Sequence, residues 1–134
     1  MIWLLDTNTL VYILNGDARV RARANEAGRA GRVVTSIVAL AELLYGVERS
    51  SRREANRQHL EKELEQIEVV PLSLGAAEQF GRLKAGLRAK GINKTDLDLM
   101  IAATALDLGA TLVTNDGALL DGTIPGLSVE NWTV

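Results

Sequence analysis

Short apolar runs alternate along this chain with longer segments whose apolar residues recur at helical spacing. Ile2-Trp3-Leu4-Leu5 is a continuous apolar run that stops at Asp6-Thr7-Asn8, the pattern of a buried strand whose tip turns into a helix over Thr7 to Leu14. Gly16-Asp17 breaks that helix, Ala18 to Asn25 resumes helical composition, and Gly28 to Gly31 leads into a β-branched strand, Arg32-Val33-Val34-Thr35. Ser36 is an N-cap for a helix from Ile37 to Val47, apolar on almost every face and therefore expected to be mostly buried, with Glu42 inside it. Arg52 to Gln66 is highly charged, with Leu60, Leu64 and Ile67 forming one packing stripe of a surface helix, and Val69-Val70-Pro71-Leu72 follows as a strand ended by proline. Ser73 caps a helix from Gly75 to Lys90 that Gly91 stops, with Ala76, Phe80, Leu83 and Leu87 on one face. Asn93-Lys94-Thr95-Asp96 supplies cap residues for an apolar helix from Asp98 to Leu108, which Gly109 ends. Thr111 to Thr114 is a strand, Asn115-Asp116-Gly117 the loop at its tip, and Leu127 to Glu130 the last strand.

Apolar strands alternating with helices of this length predict an α/β fold, a Rossmann-like α/β/α sandwich around a mostly parallel sheet. In such sheets the ligand crevice lies beyond the carboxyl ends of the strands. At 134 residues the chain is expected to be a single domain, 1–134, burying roughly two-thirds of its unfolded surface without disulfide or zinc support.

Cysteine is absent and His59 is the only histidine, which excludes thiol catalysis and zinc clusters and leaves a Ser-His-Asp relay nearly without means. Met1 to Asp6 lacks the basic start of a signal peptide, and no uncharged run, Leu99 to Leu106 included, approaches the ~20 residues that cross a bilayer, so a cytoplasmic protein with no membrane partner is expected. With 15 basic against 17 acidic residues, overall charge supplies no affinity for nucleic acid. Local clusters must supply it: Arg19, Arg21, Arg23, Arg29 and Arg32; Arg49, Arg52, Arg53 and Arg57; and Lys84, Arg88, Lys90 and Lys94. Runs of this kind are most often solvated helix faces, and adjacency to acids would favour phosphate contact.

Four carboxylates stand beside the most apolar stretches: Asp6, Glu42, Asp98 and Asp116. A carboxylate in such a place is costly unless it is paired or binds a metal. Three of them have an ordinary structural reading as well: Asp6 capping the next helix, Glu42 partnered by an arginine, Asp116 serving a turn. Asp96 and Asp98 differ by about 200° around a helix, so they cannot both face one point. Asp98 shares the inward side of Ile101, Ala102 and Ala105, whereas Asp96 is the better placed to cap. The topology carries all four acids toward one crevice, where their mutual repulsion needs a divalent cation to offset it. Hard oxygen donors select Mg²⁺ or Mn²⁺, ions that act mainly on phosphates, and phosphodiester hydrolysis by activated water needs no protein nucleophile.

The chain resembles the PIN-domain ribonucleases, and within them the VapC toxins of bacterial VapBC toxin-antitoxin pairs. The resemblance runs nearly end to end and is carried by Leu5-Asp6-Thr7-Asn8, by Ala41-Glu42-Leu43 with Tyr45-Gly46, by Asp98-Leu99-Met100-Ile101-Ala102-Ala103-Thr104-Ala105, by Ala110 to Asp116, and by Ile124-Pro125-Gly126-Leu127 with Glu130-Asn131-Trp132. It implies Asp6 and Asp98 as principal metal ligands, Glu42 completing or water-bridging the coordination and orienting the attacking water, and Asp116 serving the pocket from its loop. Thr7, Asn8, Thr114 and Asn115 would hold those carboxylates by hydrogen bonds, with Asp96 a further candidate for that role. It further implies a homodimer, an RNA substrate such as a tRNA or rRNA loop, and a VapB-type antitoxin whose C-terminal segment lies in an apolar groove and sends an Arg or Lys toward the acids. Many relatives carry Asn at the position of Asp116, and many carry an Arg-Glu-Phe-like stretch after it, where this chain has Gly117-Ala118-Leu119-Leu120-Asp121 and no basic residue. Two other readings stay open: a haloacid-dehalogenase-like phosphatase with Asp6 as nucleophile, against which Asn8 stands where a proton donor is required, and a non-catalytic PIN-like module binding RNA or protein.

Overall fold

The computed structural model describes all residues, 1–134. Its strands are β1 (Ile2–Leu5), β2 (Arg32–Ser36), β3 (Glu68–Val70), β4 (Thr111–Val113) and β5 (Val129–Glu130). Its helices are α1 (Thr7–Leu14), α2 (Ala18–Ala30), α3 (Ile37–Arg49), α4 (Arg53–Leu64), α5 (Leu74–Ala89), α6 (Asp96–Leu108) and α7 (Gly117–Leu120).

The strands form one sheet in the order β3-β2-β1-β4-β5, and every pairing is parallel. Leu4 pairs with Val34 on one side and Leu112 on the other, and all three are fully buried. Continuous apolar strands of this kind are what a sheet covered on both faces requires. The chain builds outward from β1 through β2 to β3, then returns to the other side of β1 for β4 and β5, so strand order reverses between β1 and β4. The switch point, beyond which a crevice is expected, lies where the paired residues Leu5 and Val113 end their strands.

Local chemistry explains the boundaries. Ser36, Ser73 and Thr95 each accept a backbone N–H from the first turn of the helix that follows. Gly109 ends α6 with φ of 64°, the left-handed conformation that glycine adopts at least cost. α6 is the most deeply packed helix, with Leu99 and Ile101 through Ala105 buried.

Beyond shifts of one or two residues at the ends of β2, α3, α4, α5 and β4, the structure departs from the sequence reading at six places. α2 continues through Gly28 to Ala30, because helical hydrogen bonding tolerates one glycine at modest cost. α3 is not mostly buried: Val38, Ala39 and Leu43 face inward, while Ile37 and Tyr45 are 44% and 64% exposed. The third strand is Glu68–Val70, ending before Pro71, and the last is only Val129–Glu130. α6 begins at Asp96, with Thr95 rather than Asp96 as its N-cap. Beyond β4 the chain forms the short helix α7 where a plain loop was expected.

Candidate active site

Asp6 follows directly on β1, at the centre of the sheet, and is 3% exposed. Its Oδ1 accepts the N–H of Thr7 at 2.7 Å, capping α1, and its Oδ2 accepts the hydroxyl of Thr114 at 2.7 Å. The capping role is therefore real, and it coexists with a second contact from the adjacent strand. Burial pushes the Asp6 carboxyl up from 3.8 to about 6; the two hydrogen bonds oppose the shift, and the negative charges of Asp98 and Glu42 add to it.

Thr7 also serves the second acid, since its hydroxyl donates to Oε1 of Glu42 at 2.8 Å. Glu42 is half-buried on α3 and its partner is this threonine, not an arginine. Thr114 in turn serves a third, because its Oγ accepts the N–H of Asp116 at 3.0 Å while donating to Asp6. Asp116 caps α7 through Ala118 N–H at 2.9 Å. Two threonines thus link Glu42, Asp6 and Asp116 into one hydrogen-bonded chain that spans α3, β1 and β4.

Asp98 enters from α6, in the first turn of that helix, and is half-buried. Desolvation raises its pKa; the Thr95 hydroxyl opposes the shift, Asp116 and Glu42 add repulsion, and Lys94 pulls the other way. Each of the four expected acids is therefore in the electric field of at least one other, as the crevice at the switch point requires. Asp96 is not brought in: it is exposed and pairs with Lys84 at 2.8 Å. Two residues apart on a helix, the two aspartates face away from each other as their spacing dictates, but the cap belongs to Thr95.

Asn8 and Asn115 stabilise the rim. Oδ1 of Asn8 accepts the N–H of Asn115 at 3.3 Å, and the Asn115 amide donates to the Tyr12 hydroxyl at 3.2 Å. Thr9 donates to the carbonyl of Val113 at 2.9 Å, which ties α1 to the end of β4. Tyr12 and Thr9 escaped the sequence reading, although Asn8 and Tyr12 stand four apart on α1, the spacing that puts two side chains on one face.

The donors suit a hard divalent cation. All four are carboxylates, and hydrogen bonds engage one oxygen each of Glu42 and Asp116. As the side chains stand, no group of three is close enough together to hold a metal ion. Glu42 and Asp98 are half-buried and have side-chain torsions with which to close on a shared ion. Most arginines of the first two basic clusters are engaged elsewhere, in the pairs Arg19–Asp17, Arg21–Glu63, Arg23–Glu130, Arg32–Glu68, Arg53–Glu48 and Arg57–Glu61. A groove of about 360 Å³ opens beside Thr7 and Glu42 between α1, α3 and α4, floored by Val11, Leu14, Leu43, Val47 and Leu60.

Comparison with known proteins bears on the family and the fold. The family model described as PIN domain matches residues 3–121. A relative from Rickettsia felis named Ribonuclease VapC2 is 35% identical over 139 residues, covering 98% of each chain. One from Salmonella typhimurium named tRNA(fMet)-specific endonuclease VapC is 34% identical over 131 residues, covering 97% of each. Among solved structures, that of VapBC2 from Rickettsia felis bound to a promoter DNA fragment superposes with a TM-score of 0.93 at 34% identity, covering 98% of this chain and 99% of that one. DNA-bound VapBC from Salmonella typhimurium gives 0.91 at 32% identity, with 98% of each covered. With the family match over residues 3–121, near full-length similarity and the shared fold in agreement, the chain belongs to the PIN-domain family, in its VapC branch.

Proposed function

We propose that this chain is the toxin of a VapBC-type toxin-antitoxin pair and acts as an endoribonuclease that depends on Mg²⁺ or Mn²⁺. The observation that carries the reading is the shared field of four carboxylates at the switch point, with Asp6 so buried that its ionisation is opposed up to a pH of about 6. A divalent ion bound there supplies the positive charge that lets these acids ionise together, activates water and offsets charge on the phosphate. Asp6 and Asp98 would be its principal protein ligands. Asp6 is fixed by Thr7 and Thr114 and cannot swing away. Glu42, held at one oxygen by Thr7, keeps the other for the attacking water, and Asp116 contributes from the start of α7. The names of the relatives, a ribonuclease and a tRNA(fMet)-specific endonuclease, support RNA as substrate, with tRNA and rRNA loops the structures that present single-stranded phosphates.

A partner follows from the same comparison, since the neighbouring structures are VapBC complexes. The apolar groove beside Glu42 fits the C-terminal segment of a VapB-type antitoxin, from which an Arg or Lys would reach the acids in place of the cation. A homodimer is supported by the apolar side chains that α3 leaves exposed, Ile37 and Tyr45. No helix is long and apolar enough to cross a membrane. The phosphatase alternative is disfavoured by Asn8, whose side-chain oxygen is taken by the Asn115 N–H.

Cleavage of tRNA and of rRNA-loop transcripts tests the reading. Cleavage is expected with Mn²⁺ or Mg²⁺, abolished by EDTA, and reduced by about 10²-fold or more in Asp6→Asn and Asp98→Asn while both variants remain folded. Wild-type rates in both variants would refute the assignment, and metal-dependent binding without cleavage would favour the non-catalytic module.

A further inference from the structure

Lys94 lies in the turn between α5 and α6, and its side chain is 3% exposed, an uncommon burial for an ammonium group. Its Nζ donates to the backbone carbonyl of Ala118 and, at 2.9 Å, to Oδ2 of Asp121. Ala118 is the second residue of α7, and its own N–H bonds Oδ1 of Asp116 at 2.9 Å. In the other direction, Lys94 directly precedes Thr95, whose hydroxyl accepts the N–H of Asp98 at 3.2 Å. One side chain therefore joins the segment that carries Asp98 to the segment that carries Asp116. Residues 117–121 have no cation of their own, and Lys94 delivers one to them from a different part of the chain.

We propose that Lys94 is a positioning residue that fixes the separation of Asp98 from Asp116 and thereby sets the affinity of the acidic cleft for its divalent ion, an inference that rests on the metal-dependent reading above. The ammonium acts through two effects of opposite sign. As a charge it opposes a second cation nearby, so its removal alone would deepen the negative potential and tighten ion binding. As a tether it holds the start of α7 against the start of α6, so its removal leaves Asp116 to be ordered by the ion, which weakens binding. Lys94 and Asp121 together carry no net charge. Replacing both by neutral side chains removes the tether while leaving the local charge balance unchanged, and so isolates the positioning role.

The experiment is a calorimetric titration of Mn²⁺ into the wild-type protein and the Lys94→Met/Asp121→Asn double variant, with thermal unfolding followed in parallel. The folded double variant is expected to bind Mn²⁺ about tenfold more weakly and to cleave RNA with reduced kcat at unchanged KM. Affinity within twofold of wild type would overturn the proposal and leave Lys94 a packing residue only. Failure of the wild-type protein itself to bind Mn²⁺ would instead remove the metal-dependent reading, and this proposal with it. A second measurement needs no variant: in the metal-free wild-type protein, the amides of Ala118 and Leu119 are expected to exchange with solvent as slowly as those of Asp98 and Leu99, which are bonded to Thr95 at the start of α6. Exchange at open-loop rates would overturn the tether whatever the double variant does.

Discussion

Replacing Asp6 by Asn should change stability in a pH-dependent way that no cavity or packing effect reproduces. The carboxyl titrates at 3.8 when unperturbed and at about 6 in the fold. The native state thus holds this proton more tightly than the unfolded chain does. Its contribution to stability is fully present below the unfolded value and is lost as pH rises through the folded one. Two units at ~1.4 kcal/mol each make the penalty of the ionised, metal-free state about 3 kcal/mol above pH ~6. Asn carries no charge, so that penalty disappears, but with a single side-chain oxygen it keeps only one of the hydrogen bonds from Thr7 and Thr114, a loss of ~1 kcal/mol. The variant should therefore be about 2 kcal/mol more stable than wild type at pH ~7.5 and about 1 kcal/mol less stable at pH ~3, with the two curves crossing near pH ~4.5. Urea unfolding in EDTA across this range measures the difference directly. Saturating Mn²⁺ should reverse the order at neutral pH, because an ion at 100 times its dissociation constant stabilises the wild type by ~2.7 kcal/mol and the variant by much less. A stability difference that stays constant from acid to neutral pH would refute the reasoning.

Other expectations test neighbouring parts of the site. Thr114→Val removes the buried hydroxyl shared by Asp6 and the Asp116 N–H, and should cost ~2–3 kcal/mol by urea unfolding and push the Asp6 pKa higher, a shift that carboxyl NMR would record. Glu42→Gln keeps an oxygen for the Thr7 hydroxyl, so stability should change by less than ~0.5 kcal/mol while RNA cleavage falls by ~10²-fold or more in single-turnover assays. Gly109→Ala forces a β-carbon into the left-handed region and should lower stability by ~1 kcal/mol, with no loss of Mn²⁺ affinity because α6 carries Asp98 at its opposite end.

Much of this architecture was legible because local signals agreed with the global fold. α1 falls on the residues expected, since Asp6 caps its start and Gly16-Asp17 follows its end. The four acids could be singled out because each interrupts or abuts an apolar stretch, and parallel strands carry their carboxyl ends to one edge. Where signals competed, the sequence misled. In Thr95-Asp96 both residues are cap formers, and only the backbone placed Thr95 at the cap and Asp96 beside Lys84. Gly117-Ala118-Leu119-Leu120 has turn chemistry at its start, which hid a short helix whose Leu119 is buried. The exposed side of α3 was invisible because Ile37 and Tyr45 are as apolar as their buried neighbours. Contacts between residues far apart in sequence were beyond local pattern altogether: the Asp6–Thr114 bond spans 108 positions and the Lys94–Ala118 bond spans 24.

Anomalous diffraction from crystals grown with Mn²⁺ tests the central claim most directly. The account predicts a peak in the crevice between the ends of β1 and β4, with oxygens of Asp6 and Asp98 as direct ligands and Glu42 and Asp116 facing the same ion. At saturating Mn²⁺, a crevice without a peak, or a peak bound by other residues, would contradict it.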